Sequence, residues 1–116
     1  MADFKDLTEM IVAFRNQRNW KQFHKPKDMA ISLALEATEV LEHFQWKNDQ
    51  EAEEYLRGGG ITQLGEELAD VLYWVLLLAH DLEIDLDQAF RAKMRQNDAK
   101  YPIEKSKDRY LKYDRL

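Results

Sequence analysis

Apolar residues recur every three or four positions along most of the chain, a spacing that predicts helices, and no stretch shows the alternation of a strand. Asp3 is suited to capping the first helix, and Pro26 suits the first turn of the second. The first predicted helix has Phe4, Leu7, Ile11 and Phe14 on one face. Four more are predicted at about 28–46, 50–57 and 62–82 and from 85 to just before Pro102.

The segments between the predicted helices carry turn and cap signals. Asp85 is expected to start the fourth long helix, with Gln88 as its capping-box partner. The run 58–60 is three glycines, which end the short acidic helix; no Gly-Lys-Ser/Thr follows, so it is not a Walker phosphate loop and is predicted to be a flexible connection. Residues 103–116 form a charged C-terminal tail, whose expected docking points are Tyr110, Leu111 and Tyr113.

Composition narrows the class of protein. A chain of 116 residues, 45% hydrophobic and 34% charged, predicts one globular domain over 1–116. The net charge of −5 argues against binding a nucleic-acid polymer. The absence of cysteine excludes disulfides and suits a reducing cytoplasm. The charged N-terminus does not read as a signal peptide, and the longest uncharged apolar run, 71–79, is far short of the about 20 residues that span a membrane, so a soluble protein is expected.

The second helix carries two acids beside an apolar face. Glu36 and Glu39 lie three residues apart along the border of that face, and His43 continues the same line. Ile31 and Leu35 are apolar again beyond them, so the carboxylates are expected in a groove between two apolar stripes. The predicted apolar face consists of Met29, Leu33, Ala34, Ala37, Val40, Leu41 and Phe44.

The third long helix repeats this arrangement. Glu67 and Asp70 border its apolar face, Trp74 follows one turn later, and Leu77 narrows the polar strip. Antiparallel packing of the two helices through their apolar faces would bring four carboxylates together. Such a cluster is costly unless protons or cations neutralise it. Oxygen ligands select hard cations, above all Mg²⁺ with Mn²⁺ as a substitute, which suits phosphoryl or nucleotidyl transfer to water.

Two other interpretations compete with a Mg²⁺ site. A single Glu-x-x-Glu on an amphipathic helix usually lies on a solvated face, so the spacing alone leaves a non-catalytic helical interaction module open. A carboxylate-bridged di-iron bundle would need Glu-x-x-His on two helices. No histidine here follows a glutamate at that spacing, since the residues three before the histidines are Lys21, Val40 and Leu77.

The ordered motifs resemble the MazG-like all-α nucleoside triphosphate pyrophosphohydrolases, and within them the dCTP pyrophosphatase branch. The similarity spans about 20–102, and its centre is the pair Glu-x-x-Glu and Glu-x-x-Asp formed by Glu36, Glu39, Glu67 and Asp70. The flanking matches are Asn19-Trp20-Lys21-Gln22-Phe23-His24-Lys25-Pro26, Leu41-Glu42-His43-Phe44-Gln45-Trp46, Lys93-Met94-Arg95-Gln96-Asn97 and Tyr101-Pro102.

This resemblance implies specific roles. The four motif acids would bind Mg²⁺ and the triphosphate it carries, and one acid would orient the attacking water. Lys93 and Asn97 would contact the phosphates and the sugar or base, while Trp20, Phe23 and Trp46 would line the base pocket with His24 as a hydrogen-bonding partner. His43 and His80 are expected to be structural, with His43 close enough to the acids to support them.

The resemblance also implies a fold and an activity. The expected fold is an all-α, four-helix-bundle-like assembly, a dimer or tetramer, and the expected reaction converts a (d)NTP, dCTP or a modified dCTP, to the monophosphate and pyrophosphate. Leu35 stands where many of these proteins have a further glutamate, and the dCTP pyrophosphatase branch also tends to lack that glutamate. Trp74 replaces a frequent tyrosine, so a different preference among dNTPs is expected if that ring touches the sugar or base.

Overall fold

The computed structural model describes residues 4–116, so the predicted cap Asp3 lies outside the described residues. Every regular element in this part of the chain is helical, which confirms the all-α prediction. The α-helices are α1 (Phe4–Gln17), α2 (Pro26–Glu42), α3 (Asp49–Tyr55), α4 (Ile61–Asp81), α5 (Leu86–Lys100) and α6 (Ile103–Ser106). Within 4–116, no helix is both long enough and apolar enough to cross a membrane.

The ends of the helices are set by local hydrogen bonds. Pro26 occupies the first turn of α2 as predicted, but α2 ends at Glu42 rather than Trp46, because the next turn tightens and Trp46 adopts a left-handed φ of 68°. Asp85 caps α5 as predicted and accepts a hydrogen bond from the Gln88 N–H at 3.0 Å. A reciprocal capping box, which was not predicted from the sequence, starts α3: Asn48 and Glu51 bond each other's backbone N–H groups.

The connection between α3 and α4 differs from the flexible loop that was predicted. Leu56–Gly60 forms a tight turn in which Gly59 has a left-handed φ of 109° and Gly60 is buried. A Cβ atom at Gly60 would lie 2.6 Å from ring atoms of Tyr55, whereas one at Gly58 would meet nothing within 4 Å. Glycine is therefore required at two of the three positions, for backbone conformation at one and for close packing at the other.

The chain divides into two compact units, Met1–Glu83 and Ile84–Leu116. In the first unit α4 packs against both α1 and α2. The side chains most completely removed from solvent are apolar residues of α2 and α4 together with one arginine of α1: Met29, Leu76, Leu77, Ala79 and Arg15.

The inward face of α2 is rotated relative to the predicted apolar face. Met29 is buried and Leu33 and Val40 are half-buried as predicted, but Ala34, Ala37 and Leu41 are exposed. The half-buried positions on the other border of the helix are Glu36 and His43. The two helices therefore do not pack through their apolar faces alone, because the acid-bearing side of α2 takes part in the seam with α4.

In the second unit the C-terminal tail folds back on the end of α5. The rings of Tyr101 and Tyr113 meet edge to face with centroids 6.1 Å apart, and Lys100 Nζ lies 4.8 Å from the centroid of the Tyr113 ring. Leu111 is half-buried, so two of the three predicted docking points are engaged. Tyr110 is fully exposed, and its predicted docking is wrong.

A buried ion pair joins the C-terminal ends of α1 and α4. The Arg15 guanidinium donates two hydrogen bonds to the Asp81 carboxylate, at 2.7 and 2.9 Å, although the residues are 66 positions apart. Arg15 is only 1% exposed. The two hydrogen bonds from Arg15 hold the pKa of Asp81 below its usual value of 3.8.

We expect Asp81→Asn to lower the free energy of unfolding by about 3–5 kcal/mol, because it leaves the buried Arg15 charge without a counter-charge. Urea denaturation at neutral pH measures this loss. Asp87→Asn is the matched control: Asp87 also binds an arginine, Arg91, at 2.7 Å, but both side chains are largely exposed, so stability should stay essentially unchanged. Equal effects of the two substitutions would contradict a stabilising role specific to the buried pair.

The contribution of Asp81 also has a predictable pH dependence. The pKa of Asp81 is lower in the folded than in the unfolded chain. The stabilisation is therefore present at pH values above 3.8 and disappears as the pH falls through the pKa of the folded state. The stability difference between the wild type and Asp81→Asn should therefore shrink in denaturation series carried out at successively lower pH below 3.8. A difference that stays constant with acidification would show that the ion pair is not its source.

Candidate metal and nucleotide site

Three of the four predicted acids come together in the seam between α2 and α4. Glu36, Glu67 and Asp70 each offer a carboxylate oxygen, and these oxygens all lie within 4.8 Å of one another. Glu36 and Glu67 are half-buried and Asp70 is exposed, so the group opens to solvent on one side. Along the seam His24 meets Trp74, Glu36 meets Asp70, and His43 meets Glu67, which confirms the predicted antiparallel arrangement of the two helices.

The environment of Glu36 fits a bound cation. Its Oε2 atom is buried and has no hydrogen-bond partner. Burial raises the pKa of Glu36 above its ordinary value of 4.5, and the neighbouring charges of Glu39 and Asp70 raise it further. An unpartnered carboxylate oxygen among other carboxylates is what a hard divalent cation compensates, by neutralising charge and filling the missing contact.

Glu39 lies at the edge of this group. It does not belong to the set of three closest acids, but its carboxyl group is within hydrogen-bonding reach of Glu36 and Glu67. The interaction with the neighbouring Glu67 carboxylate is the main reason why the pKa of Glu39 is raised above 4.5. Glu39 can therefore accept or hold a proton beside the three acids without being one of the closest ligands.

A chain of polar side chains reaches Glu67 from the C-terminal end of α2. His43 Nε2 lies 3.4 Å from Glu67 Oε1, and His43 Nδ1 lies 2.5 Å from the Tyr55 hydroxyl. That hydroxyl donates its one hydrogen to Gln63 Oε1 at 3.0 Å and is therefore the acceptor in its contact with His43 Nδ1. The structure thus confirms that His43 is close to the acids, whereas Tyr55 and Gln63 were not anticipated from the sequence.

Several predicted base-pocket residues belong to one aromatic group. The rings of His24 and Trp74 meet edge to face at 5.2 Å, and Trp74 meets Tyr73 at 5.0 Å. Phe14 connects Tyr73, at 6.4 Å, with Trp20, at 5.7 Å. Trp20, His24 and Trp74 therefore line one continuous aromatic surface, to which Phe14 and Tyr73 contribute without having been predicted.

The surroundings of His24 favour the neutral form of its ring and leave one ring nitrogen without a hydrogen-bond partner. Its Nδ1 atom is buried and has no hydrogen-bond partner. Burial lowers the pKa of His24 below its ordinary value of 6.5, and the positive charge of Arg15 lowers it further. A neutral imidazole has one donor and one acceptor nitrogen, so this ring can offer a hydrogen bond to a polar ligand edge.

Two predicted base-pocket residues of the first unit, Trp46 and Phe23, do not belong to these groups, and two other predicted contacts lie in the second unit. Trp46 is 90% exposed and makes no ring contact with another described residue, and Phe23 is 63% exposed. Lys93 and Asn97 lie on α5 in the second unit, where Lys93 is exposed and the Asn97 amide donates to Met94 Sδ at 3.8 Å. The roles of these four residues stay predictions.

The chain is similar in sequence to a known family and to curated proteins. The model of the MazG-like family matches residues 31–116. The chain is 34% identical to dCTP pyrophosphatase 1 of Bos taurus over 97% of this chain and 67% of that one, and 35% identical to dCTP pyrophosphatase 1 of Mus musculus over 97% and 66%. It thus spans about two thirds of the length of these relatives.

The chain is also similar in fold and sequence to a solved structure. The crystal structure of a pyrophosphatase from Archaeoglobus fulgidus superimposes with a TM-score of 0.80 at 36% identity. The similarity covers 88% of this chain and 94% of that one. The match to the family, the mammalian relatives and the solved structure agree with the resemblance found in the motifs, and the chain belongs to the MazG-like family of pyrophosphatases.

Proposed function

We propose that this chain is a metal-dependent nucleoside triphosphate pyrophosphohydrolase that converts a (d)NTP, with dCTP or a modified dCTP as the preferred substrate, to the monophosphate and pyrophosphate. The observation that carries the proposal is the group of Glu36, Glu67 and Asp70, with an unpartnered buried oxygen at Glu36. The relatives named dCTP pyrophosphatase 1 support the reaction and suggest the base.

In this proposal Glu36, Glu67 and Asp70 hold Mg²⁺, for which Mn²⁺ can substitute. The bound ion would neutralise phosphate charge and make the α-phosphorus more susceptible to attack by water. Glu39, at the edge of the three acids, orients the attacking water and accepts its proton. The water oxygen forms a bond to the α-phosphorus, the bond from that phosphorus to the oxygen shared with the β-phosphate breaks, and pyrophosphate leaves.

The aromatic surface formed by Trp20, His24 and Trp74 is proposed to bind the base. Stacking on an aromatic ring is worth about 1–3 kcal/mol per base, and His24 is proposed to add a hydrogen bond to the edge of the base. Phe23 and Trp46 are proposed to complete this pocket. The contacts of Lys93 with the phosphates and of Asn97 with the sugar or base are carried by the family resemblance alone.

The reaction is tested by its products. Each common NTP and dNTP is incubated with the protein and Mg²⁺, and the products are separated by ion exchange. Monophosphate with an equal amount of pyrophosphate is expected, fastest with dCTP or a modified dCTP. Release of orthophosphate with a nucleoside diphosphate would contradict the proposed bond cleavage, and intact nucleotides with both Mg²⁺ and Mn²⁺ would favour the non-catalytic interaction module.

Amide substitutions test the metal ligands. Glu36→Gln, Glu67→Gln and Asp70→Asn should each lower turnover by at least about 100-fold, the upper end of the loss seen when a residue that only supports a ligand is replaced. Glu66→Gln is the matched control, because Glu66 precedes Glu67 on α4 but lies outside the group of three acids. Comparable losses in Glu66→Gln and Glu67→Gln would refute the assignment of the ligands.

The same variants separate a functional loss from unfolding. Because the pKa of Glu36 is raised in the folded chain, its ionised form destabilises the metal-free fold at pH values above the ordinary pKa of 4.5. At neutral pH metal-free Glu36→Gln should therefore melt no lower than the wild type, while the rise in melting temperature on adding Mg²⁺ is lost. A variant that melts lower without metal yet keeps the full Mg²⁺ effect would contradict this account.

The predicted homo-oligomer is proposed to form through the outward side of α2. Ile31, Leu35 and Leu41 lie there and are 50%, 61% and 68% exposed, and Leu68 on α4 is 53% exposed. Burying such apolar side chains between copies of the chain would stabilise a dimer or tetramer. Leu41→Glu should shift the mass measured by light scattering toward the monomer while leaving the helix content unchanged. A wild type that is monomeric at all concentrations would end this proposal.

A further inference from the structure

Three polar contacts in series connect the start of α4 with the carboxylate of Glu67. Gln63 accepts from the Tyr55 hydroxyl at 3.0 Å, that hydroxyl lies 2.5 Å from His43 Nδ1, and His43 Nε2 lies 3.4 Å from Glu67 Oε1. The side chain of His43 is 13% exposed and that of Glu67 is 24% exposed. The two contacts of His43 are therefore partly buried, where hydrogen bonds hold a geometry more firmly than at the surface, whereas the bond between Tyr55 and Gln63 is exposed.

The position of His43 between a phenol and a carboxylate fixes its ring. The two ring nitrogens point in different directions, so contacts at both of them stop rotation of the imidazole plane. A fixed ring meets Glu67 Oε1 along one direction only. A carboxylate has further lone pairs, which stay available for the acid cluster while this contact restrains its orientation.

The glycine turn between α3 and α4 makes room for Tyr55. Atoms Cε2 and Cζ of the Tyr55 ring would lie 2.6 Å from a Cβ at Gly60, so only glycine lets this ring pack against the backbone there. The Lys47 ammonium, 4.7 Å from the ring centroid, covers another part of Tyr55. The turn therefore has a role beyond linking two helices, since it places the phenol where its hydroxyl reaches His43.

We propose that His43 is a positioning residue for Glu67, and that Tyr55, seated on Gly60, fixes the orientation of His43. The proposal rests on the acid cluster being the metal site of the proposed function. Residues that support a metal ligand without touching the metal usually contribute 10- to 100-fold to metal affinity or activity. A histidine that merely joined α2 to α3 would contribute to stability and leave the affinity for metal unchanged.

Binding of Mn²⁺ alone, followed by electron paramagnetic resonance of the free ion, tests the proposal without nucleotide. Tyr55→Phe removes one hydroxyl and should weaken Mn²⁺ binding by about 10-fold. Tyr101→Phe is the matched control, because Tyr101 is also half-buried, has been given no role in the site, and its hydroxyl makes no hydrogen bond to another described residue. Tyr101→Phe should leave the affinity unchanged, and an unchanged affinity in Tyr55→Phe would overturn the proposal.

A double-mutant cycle shows whether Tyr55 acts through His43. His43→Gln should weaken Mn²⁺ binding by about 10-fold or more, and adding Tyr55→Phe to it should cause no further loss. Fully additive losses would mean that the two residues act independently and would contradict the series of contacts.

The glycine turn supplies a second pair of variants. Gly60→Ala should weaken Mn²⁺ binding at least as much as Tyr55→Phe does, because the new methyl group would lie 2.6 Å from both the ring and the backbone carbonyl oxygen of Tyr55 and displace them. Gly58→Ala has open space around its Cβ position and should bind Mn²⁺ like the wild type. If Gly60→Ala does not fold, the tyrosine and histidine variants decide the question.

These measurements separate the proposal from the hydrolase function. Wild-type protein that binds Mn²⁺ and shows the expected pattern of variants, but leaves every nucleotide intact, supports the positioning role and refutes the enzyme. Active wild type with unchanged Mn²⁺ affinity in Tyr55→Phe and His43→Gln refutes the positioning role alone. Wild type that does not bind Mn²⁺ refutes both.

Discussion

Mutual repulsion among carboxylates in the seam between α2 and α4 is the constraint on which the rest of the structure depends. Glu36 has an oxygen buried without a partner, and burial and neighbouring charge both raise its pKa. A sequence selected only for stability would place apolar side chains there. The acids instead destabilise the metal-free fold, and a cation bound among them, as proposed above, would offset that loss, which would link stability and ligand binding through the same atoms.

The long helix α4 distributes the functional and stabilising groups along one rigid element. Glu67 and Asp70 take part in the acid cluster, Trp74 contacts His24, and Asp81 near the C-terminal end binds Arg15 of α1. The buried ion pair lies well away from the acid cluster along this helix. It can therefore hold α1 against α4 without neutralising the carboxylates, which stay available to a cation.

Periodicity predicted the helices, and the repeated acid spacing predicted the cluster, because both depend on local sequence. The orientation of α2 was less predictable: the apolar face suggested that Leu41 would be inside, but the seam contains Glu36 and His43. Tertiary pairs leave no local signal either. Arg15 reads as a surface residue until its partner 66 positions away is known, and Tyr55 gives no sign in the sequence that it reaches His43.

The rotation of α2 connects the acid cluster with the proposed self-association surface. A helix has one circumference, so turning Glu36 and His43 into the seam moves Leu41 and Ala37 outward. Leu35 and Ile31 were already on the far side of the acids, and all these apolar residues then face away from the chain's own core. One rotation of α2 about its axis thus accounts both for the acids in the seam and for the apolar side chains on the outer side. If a second copy covers the outer side, assembly offsets part of the stability that the acids remove, and the metal site and the interface become two consequences of how one helix is turned.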